Sequence, residues 1–186
     1  MAEGLRVGLA LYGEDGDLGP TSTDVQVTGD TLHGQSWYVT DAQKCDVLIV
    51  SAAGPSGIDL YQVDVNAASV TVMADTIVDL TRDQAHIQFD GTDATALTTG
   101  GQGADCLQAA MPALLTLTAA DIAGAAEWQL QTTAEYAKVR EQFDRPIGFF
   151  QAVKHPIVDM MIATSAATAS RIPAVNAARA SHRRRR

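Results

Sequence analysis

One stretch of the chain gathers residue types able to hold a charged ligand. It runs from Glu135 to His155, EYAKVREQFDRPIGFFQAVKH. Arg140 contributes a permanent cation, and Gln142 and Gln151 contribute two amides. A guanidinium matches a phosphate bidentately, and a primary amide both donates and accepts. The set therefore suits a phosphate-bearing or amide-rich ligand. It equally suits a solvated helix end with Arg140 in a surface ion pair, and spacing alone leaves both open. Asp121 is a candidate acid or base, or else a surface carboxylate or inter-helix partner. Cys45 and Cys106 lack metal-like spacing. The Gly-rich run Thr98 to Asp105 lacks the lysine and the strand–loop–helix spacing of a phosphate-binding loop.

Two helices are needed to position the corner. Tyr136, Val139 and Phe143 recur at helical spacing, and Phe150, Val153, Ile157, Met160 and Met161 resume the stripe after a break. In the break, Pro146 disfavours helical geometry at Arg145, and Gly148 frees the backbone to reverse. The first helix is expected from Pro112 to about Phe143, and the second to fade near Arg171–Pro173. Ahead of them, Val7 to Tyr12 reads as a strand. VQVTG, TLHGQSWYVT, DVLIVSAA, IDLYQVDV, SVTVMAD and QAHIQFDG are short segments rich in Val, Ile, Thr and Tyr. Turn residues separate them, which implies an antiparallel sandwich or barrel. The expected class is α+β. It has an antiparallel β-barrel or sandwich over 1–98, a glycine-rich linker over 99–112, a long antiparallel α-helical hairpin over 113–172 and a disordered basic tail over 173–186.

The 186 residues are enough for one or two small domains with a real core. With 13 Lys+Arg against 22 Asp+Glu, the formal charge of −9 argues against nucleic acid as the main partner. The four terminal arginines are the exception, able to bind an acidic partner or to form a solvated end. Two thiols far apart fit a reducing compartment. The first residues carry too short an apolar run for a signal peptide, and no run reaches the length of a membrane span. A cytoplasmic location is expected.

The corner resembles the signature of the acyl-CoA dehydrogenase family, YAxxRxQFGxPIxxFQxxxH. Tyr136, Arg140, Gln142, Phe143, Pro146, Ile147, Phe150, Gln151 and His155 match it, and Asp159 and Met160 extend the match. Asp144 stands where the family usually has glycine, and Pro156 is a second departure. GDTLHGQSWYVTDAQKCDVLIV is similar to a segment of the family's middle β-domain through Gly34, Thr40, Ala42, Asp46 and Val50, with Ser36 in place of a lysine. Leu11 to Asp17 corresponds to the family's T-E-P-x-x-G-S-D loop, without its threonine and serine.

The resemblance implies a middle β-domain followed by the first two helices of a C-terminal four-helix bundle. It implies FAD as cofactor, acyl-CoA as substrate, electron-transferring flavoprotein as electron acceptor, and a place in fatty-acid and lipid metabolism. The reaction would oxidise the C2–C3 bond of the thioester. By position, Arg140, Gln142, Phe143 and Gln151 would contact FAD, Tyr38 would lie beside the flavin ring, and Thr40 would hydrogen-bond its edge. An aromatic neighbour suits a flat ring by contact area, and a hydroxyl tunes and orients its polar edge. No catalytic glutamate is found. One family position for it lies downstream of this chain, and the other, counted back from the signature, falls on Leu114. A helix pair with two apolar stripes also predicts a homo- or hetero-oligomer. Three readings follow: a family oxidoreductase incomplete alone, a non-catalytic assembly subunit lending FAD-binding residues to a partner chain, or, from another class, a small β-domain binding protein with a basic tail.

Overall fold

The computed structural model describes residues 4–17, 19, 22–79 and 81–183, with side chains to residue 169. The chain divides into two compact units, Met1–Ala109 and Ala110–Arg186.

In the first unit the apolar–polar alternation of the sequence becomes a sheet with one inward face. β1 (Val7–Ala10), β2 (Asp24–Thr28), β3 (Thr31–Thr40), β4 (Val47–Gly54), β5 (Gly57–Asp64), β6 (Val70–Ala74), β7 (Gln84–Asp93) and β8 (Thr95–Ala96) form it. Along β7, Ala85, Ile87 and Phe89 point inward and are buried, while Gln84, His86 and Gln88 lie on the other face. With Val25, Leu32, Val39, Leu48, Val50 and Val63 they make the core. Each fully buried aliphatic or aromatic side chain contributes roughly 1.5–3 kcal/mol relative to exposure.

The strand order is β6-β7-β3-β2-β4-β5-β8. All but two of its pairings are antiparallel. β1 runs parallel to β4, with Val7 opposite Val47 and Ala10 opposite Val50, and β2 touches β4 in parallel at Gln26 and Ala53. Tyr12, just past β1, bridges Trp37 of β3, which closes a circuit through β1, β3, β2 and β4. The expected antiparallel barrel or sandwich thus takes the form of a partly closed sheet that also holds two parallel pairings. β1 and β4 can run parallel because the β2–β3 hairpin lies between them as a long crossover.

Two carboxylates tie this unit together. Asp46 accepts from the Arg6 backbone N–H at 2.9 Å, from Nε at 3.0 Å and from Nη2 at 2.6 Å. The guanidinium holds the Asp46 carboxyl down to about 2. Asp59, buried on β5, accepts from the Thr98 hydroxyl at 2.8 Å and from the Gly101 and Gly103 N–H groups at 2.9 and 3.3 Å. Burial pushes its carboxyl up, but these donors outweigh that and leave it below the usual range. It thereby satisfies orphan donors at the start of the first long helix. The approach is close: Gly101 has φ +81, and a Cβ on Gly103 would lie 2.6 Å from the Asp59 Cα.

That helix, α1 (Gln102–Val139), begins ten residues before the expected Pro112, because the Asp59 cap starts it there. Pro112 sits inside it. Most of the expected 99–112 linker is therefore helical. α1 also stops short of Phe143, since β9 (Glu141–Gln142) and β10 (Arg145–Pro146) form a small hairpin. A 3₁₀ turn over Ile147–Phe149 leads into α2 (Gln151–Arg183). α2 continues through Pro173, so the expected disordered tail over 173–186 is corrected as far as Arg183; the Ala-rich segment favours helix strongly enough to absorb one proline. The remaining three arginines lie outside the described residues.

In the second unit α1 and α2 run antiparallel. Ala134 and Ala137 share one groove with Ile157 and Val158, and Leu130 shares another with Thr164 and Thr168. On α1, Ala123 and Ala137 are buried. Tyr136, Val139, Met160 and Met161 remain exposed, since a lone pair of helices can bury only one strip of each. α1 is also long and apolar enough, by length and composition, to cross a membrane, contrary to the expectation that no run would be.

Replacing Asp59 with Asn should cost roughly 1–3 kcal/mol, the range for leaving buried donors poorly partnered. Denaturant unfolding checks the loss, and amide exchange should quicken first at Gln102–Asp105. The Asp46 carboxyl is depressed, so the stability it contributes is present above its unfolded pKa, about 3.9, and is lost as pH falls towards about 2. In Arg6→Ala, NMR titration should find the Asp46 carboxyl back near the ordinary value, and the acid limb of unfolding that belongs to this pair should disappear.

Candidate functional site

Residues implicated at the corner are drawn together by two consecutive left-handed residues. Phe143 has φ +56 and Asp144 φ +59. Positive φ at both central positions of a two-residue loop is the hairpin geometry that glycine or asparagine normally supplies. Asp144 tolerates it better than most residues do, which explains how aspartate can stand where the family signature has glycine. Phe143 is the strained member. It is 87% exposed, which no packing argument explains. Its ring is held edge-on by Phe150 at 6.0 Å, and Phe150 is held in turn by Phe149 at 5.8 Å.

The polar groups sit around that ring's loop. Arg140 follows α1 directly, and its carbonyl accepts from the Ile147 N–H at 2.8 Å, which folds the 3₁₀ turn back against it. Its side chain is exposed and makes no ion pair among the described residues. Arg145, by contrast, is engaged, with Cζ 4.5 Å above the Phe149 ring. Gln142 donates to the Glu141 carbonyl at 2.9 Å, and Gln151 opens α2, exposed. The corner thus presents one unengaged guanidinium, two amides, an exposed aromatic face and the N-terminal turn of a helix. That donor set fits a phosphate-bearing nucleotide such as the ADP half of FAD.

In the first unit Tyr38 and Thr40 reach one face by way of a bulge. Ser36 pairs with Ile87 and Val39 with Ala85, so Trp37 and Tyr38 together oppose His86 alone. Simple alternation from Leu32 and Ser36 would have turned Tyr38 into the core. The extra residue puts Val39 there instead, and leaves Tyr38 and Thr40 exposed, two apart on the same side. Tyr38 has φ +57. Its hydroxyl donates to the Glu14 carbonyl at 2.7 Å, and Gly16 lies beside its ring. The loop expected to border the flavin therefore does pack against the residue expected to face it. Strain of this kind in non-glycine residues concentrates at ligand sites. Tyr38 and Thr40 belong to one unit and the corner to the other.

Leu114, at the position counted back for a glutamate, is half-buried within α1. Sequence reasoning missed His86 and Asp75, which stand behind the bulge, and Asp59. A Trp-Tyr pair breaking an otherwise regular alternation was the available signal for the first two.

A family model described as "Acyl-CoA dehydrogenase, C-terminal domain" matches residues 101–186. The acyl-CoA dehydrogenase FadE34 of Mycobacterium tuberculosis is 36% identical over 138 residues, 70% of this chain and 18% of that protein. This chain belongs to the acyl-CoA dehydrogenase family. Among solved structures, a "Tcur3481-Tcur3483 steroid ACAD G363A variant" is 30% identical with a TM-score of 0.78, over 94% of this chain and 48% of that one. A glutaryl-CoA dehydrogenase from Mycobacterium smegmatis, in complex with FADH2, shares the fold at 20% identity and a TM-score of 0.72, over 93% of this chain and 46% of that one. The chain thus spans less than half the length of these relatives. The mixed sheet followed by a long helix and a second helix is the family's fold.

The strained hairpin makes its own prediction. Asp144→Gly should be neutral or stabilise by roughly 0.5–1 kcal/mol, because glycine adopts the left-handed region without steric cost. Asp144→Val should destabilise the second unit and broaden the Phe143 ring signals, and thermal unfolding with aromatic NMR reads both.

Proposed function

We propose that this chain is a subunit of an FAD-dependent acyl-CoA dehydrogenase, acting in the oxidation of the C2–C3 bond of an acyl-CoA thioester and incomplete by itself. The observation that carries the reading is the corner: a free guanidinium, two amides and a strained, exposed Phe143 on one short hairpin. Bound FAD supplies the acceptor for the hydride that leaves C3. Arg140 neutralises pyrophosphate charge, and Gln142 and Gln151 pair with adenine or ribityl groups. Phe143 offers its face to a flat ring, and Tyr38 and Thr40 contact the flavin, one by area and one by hydrogen bond. Electron-transferring flavoprotein is the acceptor that this reading assigns, and a cytoplasmic location goes with its two free thiols.

A second reading draws support from Leu114 and from the uncovered stripe of Tyr136, Val139, Met160 and Met161. With no carboxylate at that position, the chain would serve as a non-catalytic assembly subunit, lending its corner to the FAD of a longer homologue. In either case the exposed apolar residues pack against further helices of the same or another subunit rather than lipid.

Colour separates the two. Purified chain carrying near one equivalent of flavin supports the first reading. Colourless protein that acquires flavin only on mixing with a longer family member supports the second. Arg140→Ala should weaken FAD retention at least tenfold under both, in keeping with loss of a charge-assisted phosphate contact of roughly 1.5–3 kcal/mol. Unchanged retention, measured by flavin absorbance after gel filtration, would remove the corner from the site.

A further inference from the structure

We infer that Asp75, His86 and Trp37 form a buttress that holds Tyr38 in its left-handed conformation. The aiming of that ring at FAD rests on the function proposed above; the buttress itself does not.

The bulge is the reason a buttress is needed. Trp37 and Tyr38 sit where the β3–β7 ladder is interrupted, and a tyrosine at φ +57 relaxes unless its surroundings over-determine it. On one side, the Trp37 N–H donates to the Tyr12 carbonyl at 2.9 Å, and the Tyr38 hydroxyl is tied to Glu14. On the other side stands His86, the one residue of β7 opposite the bulge. Its imidazole stacks on the Trp37 indole with centroids 4.9 Å apart and planes 18° from parallel. Its Nδ1 lies 2.7 Å from Asp75 Oδ1. An ionised carboxylate can only accept, so Nδ1 carries the proton and the ring plane is set by Asp75. Asp75 is itself clamped to β7. Its N–H donates to the Gln84 carbonyl at 2.9 Å, and its Oδ2 accepts from the Gln84 side-chain amide at 3.2 Å.

The chain of restraint therefore runs from Gln84 to Asp75, to the imidazole, to the indole. With Trp37 pinned and Val39 committed to the core, the left-handed turn at Tyr38 is the conformation left to the residue between them. His86 and Asp75 are positioning residues in this account, acting on Tyr38 through Trp37.

The full-length chain labelled with 3-fluorotyrosine reports the effect by ¹⁹F NMR, with the Tyr38 resonance assigned from Tyr38→Phe. His86→Ala and Asp75→Ala should each shift or broaden that resonance and leave Tyr61 and Tyr136 in place. Asp75→Asn, which keeps an acceptor for Nδ1–H, should restore it. Asp79→Ala, on the same connection, is the control. Titrated with FAD under the conditions in which the wild-type chain takes it up, the two alanine variants should bind about tenfold more weakly, the scale on which such strain is held. A Tyr38 resonance unmoved in Asp75→Ala, whose imidazole remains in place, or in a folded His86→Ala overturns the buttress. A resonance that moves, with FAD affinity unchanged in both His86→Ala and Tyr38→Ala, supports the buttress and removes Tyr38 from the flavin face alone.

Discussion

The structure depends first on a buried carboxylate. Asp59 sits on β5 and is exposed on only 7% of its surface, yet it stays ionised because Thr98, Gly101 and Gly103 all donate to it. Burying a charge without partners would be prohibitive, and a helix start without partners would leave orphan donors. Each requirement is met by the other. The glycines follow from this, since side chains at Gly101 or Gly103 would collide with the backbone of Ser56 or Asp59. So does the early start of α1, ahead of a proline that would otherwise mark a helix beginning.

Among the described residues, left-handed non-glycine backbone occurs at Asp41 and at two places that carry candidate ligand residues. Tyr38 is left-handed within a bulge of β3, and Phe143 and Asp144 are left-handed within a hairpin between helices. In each case an aromatic ring ends up exposed where alternation or helical periodicity would have hidden it. In each case the surroundings fix the unfavourable conformation: an imidazole–carboxylate pair behind Trp37, and interlocked phenylalanines around Phe143. Conformations of this kind persist only where the surrounding structure over-determines them.

The apolar balance of the two units differs. The sheet buries its inward face with its own strands. The helix pair buries Ala123 and Ala137 and leaves several larger side chains outside, Trp128, Tyr136 and Met161 among them. With only two helices, one strip of each can be covered. Relatives about twice this length share the fold, and uncovered apolar strips of this kind are association surfaces.

Much was legible in the sequence. The six strands read from Val25 to Asp90 appear within a residue or two of their expected ends, because alternation and turn residues act locally. The corner was legible through its fixed spacing, and Asp144 through its departure from glycine. Other features were not. Parallel pairing of β1 with β4 joins residues forty apart, and nothing in either segment announces its partner. The cap at Asp59 looked like one more polar residue in a strand. Helix ends shifted for the same reason, since Pro112 and Pro173 are local signals that a distant carboxylate and an alanine-rich context overrode. By itself, then, the sequence determined which segments are strands and helices and which family they serve, through short-range preferences carried by neighbouring residues. The facing of Tyr38, the start of α1 and the engagement of Arg145 in place of Arg140 were decided only by tertiary structure, because each depends on a contact whose partner is remote in the chain or on a register that no local pattern encodes.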